Sequence, residues 1–394
     1  MSQTTVPAAL PVQSRPLVLT EAASIPRALW LTVTGITLAL VGGTWDFAWH
    51  MSIGRDTMWV PPHVTVQLGG ILIGIAAAYA ILAITLSGSS AQQDTSIRLL
   101  GLYAPGGAFI AFWGSVAMFA SEPFDNWWHN AYGLDVKMIT PPHGLLFLGS
   151  LAAKVGAMAW IASAMNHSAD PLLNRLRWLF LVVGGLGVAQ FAKLIVVATF
   201  TENMHTAACY LAVAVFIPSV LLATGWGALH KWGCTIPAAI YTAISLGAEW
   251  LLPLFPAQPK LGPVYHNVTH LVPMGFPLLL IIPAFVADLL LQKLEQRSFW
   301  FKSICVGPAF LLSFLAVQWP FANFLMSPAS RNWVFGTAYF AYGDPAGFSY
   351  DPYKFAGAEK PALFVVVMTI AFVASIVTTR FGLAWGNWMR RIRR

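Results

Sequence analysis

The sequence predicts an all-α, polytopic transmembrane helical bundle of about ten spans. Three observations carry that expectation. Hydrophobic residues make up 57% of the 394 and charged residues 9%, a balance that a water-facing surface cannot use. The apolar residues gather into runs close to the roughly 20 residues a helix needs to cross a bilayer. Most of the remaining polar residues lie between those runs.

The runs cover approximately residues 28–45, 64–86, 100–120, 144–165, 178–200, 207–229, 235–254, 271–291, 304–324 and 362–379. Residues 1–26 are polar, contain prolines and lack the apolar core of a signal peptide, so they read as a disordered cytoplasmic tail and the first run as a retained helix. Residues 27–166 read as a four-helix metal-binding unit. Residues 167–394 read as a C-terminal membrane region of about six helices, with no linker of low complexity between the two. The connection from about 326 to 360 is long, aromatic and rich in Gly and Pro, and it lacks histidine; it suits a cap or a partner surface better than a metal site.

The net charge of +7 does not form a nucleic-acid patch, because the basic residues are spread over short loops. It serves orientation instead. With ten spans, one side holds Arg15, Arg27, Arg98, Arg175, Arg177, Lys231, Lys293, Arg297, Lys302, Arg380, Arg390, Arg391, Arg393 and Arg394, which is 14 of the 22 Lys and Arg. That side should be cytoplasmic and should hold both termini of a protein integral to the cytoplasmic membrane. The other side, facing the periplasm or exterior, then carries seven of the nine histidines: His50, His63, His129, His143, His205, His266 and His270. Cys209, Cys234 and Cys305 are far apart, with no CxxC, which argues against disulfides and thiolate zinc.

Two outer corners are near copies: TWDFAWHMSIGRDTMWVPPHV from Thr44 and PFDNWWHNAYGLDVKMITPPHG from Pro123. Each reads Asp, three residues, His, then Gly-x-Asp, then a Pro-Pro-His that opens the next span. Such a repeat marks a duplicated helical hairpin. Asp46 and His50 are spaced i,i+4, on one helix face with Cβ atoms about 6 Å apart. Pro61 and Pro62 favour an extended entry and then a helix start, placing His63 at the head of the next span. Asp125, His129 and His143 repeat the arrangement. Each set offers two imidazoles and a carboxylate, which suits copper, zinc or non-haem iron with positions left open. Acids and imidazoles at membrane depth are expensive unless partnered.

The run DFAWHMSIGRDTMWVPPHV resembles the metal motif in one membrane-embedded component of the copper membrane monooxygenases, the particulate methane and ammonia monooxygenases. That motif is Asp-x3-His-x12-His around an Arg-Asp-Thr and a Pro-x-His; here the positions are Asp46, His50, His63, Arg55, Asp56, Thr57 and Pro61. The family's later Asn-x3-His-x13-His is matched by Asp125, His129 and His143, with Trp127 and Pro141 in order. The resemblance spans roughly residues 40–150 and implies copper at both sets. This chain departs from the family in three ways. Asp125 stands where the family has Asn, only one span precedes the first motif, and a long region follows the second.

Together these readings point to a copper-dependent membrane monooxygenase component that activates dioxygen and hydroxylates a small, poorly reactive substrate, working with partner subunits in the lipid bilayer. The alternatives are a membrane metal transporter or copper-handling protein, or a structural subunit of an oxygenase complex. Ligands clustered at one membrane face argue against a transport path through the bilayer. Further expectations concern second-rank residues. Arg55 and Asp56 would either orient His50 or His63 or form a solvated loop pair. Lys154 and Lys193, within apolar runs, would reach an acid, a carbonyl or the interface. Glu202, His205, Glu249, His266 and His270 are candidates for a third site, with helix-end hydrogen bonding as their simpler role.

Overall fold

A computed structural model describes residues 26–54, 57–133, 140–343, 355–356 and 359–394. The expected disordered tail (apart from Pro26), Arg55, Asp56 and most of the loop before His143 lie outside the described residues. In chain order the described elements are α1 (Arg27–Ser52), α2 (Pro61–Ser87), α3 (Ser90–Asp94), β1 (Ile97–Leu99), β2 (Leu102–Ala104), α4 (Gly106–Tyr132) and α5 (Pro141–Asn166). They continue as α6 (Leu172–Leu194), α7 (Val196–Thr199), α8 (Ala207–Ala228), α9 (Thr235–Leu251), α10 (Ile281–Lys293), α11 (Phe299–Leu325) and α12 (Pro361–Met389). The protein is an all-α bundle. Eight of these helices are long and apolar enough to cross a membrane: α1, α2, α5, α6, α8, α9 with its following turn, α11 and α12.

The expected ten spans therefore need two corrections. The span expected at 271–291 contains only the 13-residue α10, about 20 Å of helix against a hydrocarbon core of about 30 Å. The residues before it are not helical, because Pro273 and Pro277 lack the N–H a helix needs and Gly275 sits at φ +95°. The span expected at 100–120 starts later, at Gly106, and runs on to Tyr132 as the 27-residue α4. Its Gly, Ser, Trp and acidic content keeps it out of the group of eight. The residues ahead of it form an antiparallel hairpin in which Ile97 pairs with Ala104. Leu100 (φ +51°) and Gly101 (φ +84°) make the turn, with the two positive φ values of the favoured hairpin type. Both motif helices outlast their apolar stretches, so Asp46, His50, Asp125 and His129 all stand on regular helix.

Close backbone contact holds each hairpin shut. A Cβ at Gly35 in α1 would lie 2.7 Å from the Gly69 carbonyl oxygen in α2, and one at Gly149 in α5 would lie 2.8 Å from the Gly114 carbonyl oxygen in α4. Small residues let membrane helices approach this closely and gain dispersion contact along their length. In both hairpins the first glycine sits eleven residues before the motif aspartate and the second six residues after its last histidine. The same contact thus fixes the same register, and the C-terminal turn of one helix meets the N-terminal turn of the next. Below this, Phe180, Tyr210, Phe310 and Phe314 fill a shared core with no solvent exposure.

Gly149→Ala should lower the detergent unfolding midpoint, because the new methyl meets backbone at under 3 Å, an overpacking that costs about 1–3 kcal/mol. Gly144→Ala on the same helix meets nothing within 4 Å and should be neutral or stabilising by up to about 1 kcal/mol. Equal responses in thermal circular dichroism would refute the close contact.

Candidate metal centre

The last turns of α1 carry Asp46 and His50, and the chain then bends so that Val60 is extended and Pro61 opens α2 with His63 in its first turn. Asp46 Oδ1 lies 3.1 Å from His63 Nε2 and 3.7 Å from His50 Nε2. One ligand atom from each of the three residues falls within 4.8 Å of the others. In a tetrahedral site with bonds of about 2.0–2.1 Å the ligand atoms stand about 3.4 Å apart, so these separations bracket the edge of such a site. Asp46 Oδ1 is also buried from solvent, which concentrates its charge on the two imidazoles. The residues present fit a copper or zinc ion.

Glu122 completes the arrangement, and the sequence reading missed it. His63 Nδ1–H donates to Glu122 Oε1 at 3.1 Å, and Gln67 Nε2 donates to Glu122 Oε2 at 3.4 Å and to the Met118 carbonyl at 3.3 Å. With the Nδ1 proton held by Glu122, Nε2 faces Asp46 and would turn its lone pair to an ion held between them, the way a carboxylate orients a metal-binding histidine. The signal available in the sequence was an acid inside an apolar run, one helical turn before Asp125. Lys193 of α6 adds a positive charge that acts electrostatically on Asp46. It lies against α1 at Gly43, where any side chain would collide with Nζ.

The second set comes together differently. His129 Nε2 is 3.1 Å from Asp125 Oδ2, whereas His143 Nε2 is 3.7 Å from Asp125 Oδ1. The two imidazoles therefore address different oxygens of a carboxylate that is itself buried. Among the described residues, only the first set has three ligand atoms within 4.8 Å of one another. His143 Nδ1 is buried with no hydrogen-bond partner among the described residues, so nothing there plays for it the part Glu122 plays for His63. The α4 helix serves both sets, presenting Glu122 to one and Asp125 with His129 to the other.

A cap closes over the end of α1. Val272 N–H donates to Ser52 Oγ at 2.7 Å, Lys260 N–H to the Ile53 carbonyl at 2.8 Å, and Tyr342 N–H to the Met51 carbonyl at 3.1 Å. Ala48, Ala257 and Leu271 pack beneath it with Trp45. The described part of the 326–360 connection, through Tyr342, contributes to this cap.

The third candidate cluster does not assemble. His205 donates from Nε2 to the Trp319 carbonyl at 3.1 Å and is stacked between Trp319 and Phe355 at centroid distances of 4.1 and 3.7 Å. His266 lies beside Phe340 and His270 pairs with the Thr269 hydroxyl. Glu249 is buried on the wall of a cavity of about 70 Å³ between α1, α6 and α9, together with Lys193, Tyr241 and Ser245. Aromatic rings, one backbone carbonyl and one hydroxyl had claimed these imidazoles, which irregular spacing alone could not reveal. Lys154 donates to Ser150 Oγ at 2.8 Å and to Gln190 Oε1, so it is held by neutral oxygens. The three cysteines are free.

Comparison of the chain with protein-family models, with curated proteins and with solved structures finds no match.

Proposed function

We propose that this protein is a copper-binding component of a membrane oxygenase, with Asp46, His50 and His63 holding one ion and Asp125, His129 and His143 a second, more weakly. The observation that carries the reading is the convergence of one carboxylate and two imidazoles within 4.8 Å at the head of a helical hairpin, beside a carboxylate that orients one of the imidazoles. The likeness of the two corner motifs to those of copper membrane monooxygenases selects copper and oxygen chemistry from the wider range that two imidazoles and a carboxylate allow.

Bound copper would supply the one-electron steps that dioxygen chemistry needs. In the overall reaction a C–H bond becomes C–OH with one oxygen atom, the second leaves as water, and two electrons and two protons enter from a reductant held by a partner protein. The chain's own residues have separate tasks. Asp46, His50 and His63 bind, Glu122 orients His63, and Lys193 offsets the charge of Asp46 in a medium where an uncompensated carboxylate is costly. The cap over α1 and the Trp45 cluster exclude water from one flank, while the His50 side chain keeps about a third of its surface open, a side from which substrate can approach.

His50→Ala and His129→Ala should each lower bound copper by about one equivalent in the purified protein. Glu122→Gln, which removes no ligand, should weaken the first site about 10–100-fold. Graded chelator should strip the second site before the first. Metal analysis by mass spectrometry reads all of these, and full copper in folded His50→Ala would remove the assignment. Copper-dependent dioxygen uptake with a small reductant, abolished in His50→Ala, tests the oxygenase step.

The 271–293 segment, though only partly helical, carries the chain from the motif end, where Val272 meets Ser52, to the other end, where Gln292 Nε2 donates to the Lys231 carbonyl; the number of crossings stays even, and the two corners would face the periplasm or exterior with both termini cytoplasmic. Reporter fusions after Ser89 and after Ala131 should then give opposite readings, the first cytoplasmic; identical readings would break that topology, and opposite readings of exchanged sign would invert it.

A further inference from the structure

At the end of the bundle away from the metal ligands, the last turn of α8, the first turn of α11 and the last turns of α12 meet around Trp226 and Phe299. Lys302 Nζ lies 4.2 Å from the Trp226 ring centroid and 5.4 Å from that of Phe299. Arg390 Cζ lies 4.2 Å over the same Trp226 ring, and Arg380 Cζ lies 5.5 Å over Phe299 and 5.4 Å over Trp300. Lys302 and Arg390 repel one another, and the carboxylate that acts on both is Glu295. Two of the three cations thus share one acid; Lys302 Nζ also donates to the Glu295 carbonyl at 2.8 Å and Arg390 Nε to the Trp226 carbonyl, and Lys302 is 2% exposed.

Aromatic faces offset part of that surplus charge, but they accept no conventional hydrogen bond. Two donors in the cluster remain unsatisfied: Arg380 Nε and Trp226 Nε1 are buried with no partner among the described residues. A buried donor left without an acceptor is destabilising. Surplus positive charge beside unused N–H groups specifies an anionic acceptor, and phosphate oxygens meet guanidinium and indole donors well. The surface leading away from the cluster shows the source of that anion. Val377, Phe381, Trp300 and Ile304 are all exposed large apolar residues on the outer faces of α11 and α12, a bed for hydrocarbon and not for water.

We propose that this corner binds the phosphate of one anionic phospholipid, with its acyl chains along the outer faces of α11 and α12. Arg380, Arg390 and Trp226 hold the headgroup, and Lys302 supplies charge from beneath. Basic pockets between membrane helices recognise anionic lipid by the same combination of charge and donors.

The full chain, purified in mild detergent, is titrated with phosphatidylglycerol and with phosphatidylcholine of the same acyl length, and retained lipid is counted by native mass spectrometry. The wild type should retain a first phosphatidylglycerol about tenfold more tightly than phosphatidylcholine, as expected when hydrogen bonds to a charged group are gained. The Arg380→Gln/Arg390→Gln double variant should lose that preference. Trp226→Phe keeps the ring and removes the N–H, and should weaken phosphatidylglycerol alone; it decides the matter if the double variant fails to fold. Arg98→Gln, which alters a cation stacked on Tyr103 at the same end, should change nothing. Equal retention of the two lipids by the wild type overturns the proposal, as does an unchanged preference in folded Trp226→Phe. So does competition by inorganic phosphate as effective as that by phosphatidylglycerol, which would mark a site for soluble phosphate.

Discussion

The hydrogen bond from His63 to Glu122 joins the two hairpins at the level of the motifs and orients a histidine of the first set. It crosses from α2 to α4, residues 59 apart in the chain. A carboxylate buried to this degree in an apolar environment must find a donor, and His63 Nδ1 and Gln67 Nε2 are the donors it finds. By meeting that need, α4 is set at a rotation that puts Asp125 one turn further on and inward as well. The glycine contacts close each hairpin, and the Glu122 bond sets one hairpin against the other.

The two sets consequently differ in more than sequence. Around the first, Asp46 and Glu122 bring two formal negative charges and Lys193 one positive charge, so an added cation moves the neighbourhood toward neutrality. Around the second, Asp125 shares its two oxygens between imidazoles, and His143 lacks an orienting acceptor among the described residues. One helix more or less rigidly presented would not produce that contrast. It arises because the face α4 turns to α2 carries Glu122, which orients His63, whereas no described residue gives His143 on α5 such an acceptor.

What could be read from the sequence was local. The i,i+4 spacing of Asp46 with His50 and of Asp125 with His129, and the Pro-Pro-His helix starts, follow from helix geometry and proline stereochemistry, so the meeting of an acid and two imidazoles at each corner was legible before any tertiary contact was known. The helical bundle was legible from apolar run length. The shortened α10 was also written in Pro273 and Pro277, which a count of apolar residues passes over. The Leu100–Gly101 turn was hidden because its flanking residues are as apolar as a span. Glu122, Lys193 and the cap were illegible for a different reason. Each acts across long stretches of chain, and no local pattern fixes which helix faces which. His205 shows the converse error, since a histidine near an acid in sequence was already engaged by Trp319 and Phe355 in space.

The cap also imposes an order in time. Ser52 receives its bond from Val272, 220 residues later, and Met51 receives its own from Tyr342. A chain made from its N-terminus presents the α1–α2 corner to the aqueous face long before either partner has left the ribosome. Throughout that interval Asp46, His50 and His63 can be near one another with one flank uncovered. Assembly therefore has an open phase and a closed phase, separated by most of the length of the protein, and an ion that enters early would be enclosed by the completion of synthesis itself.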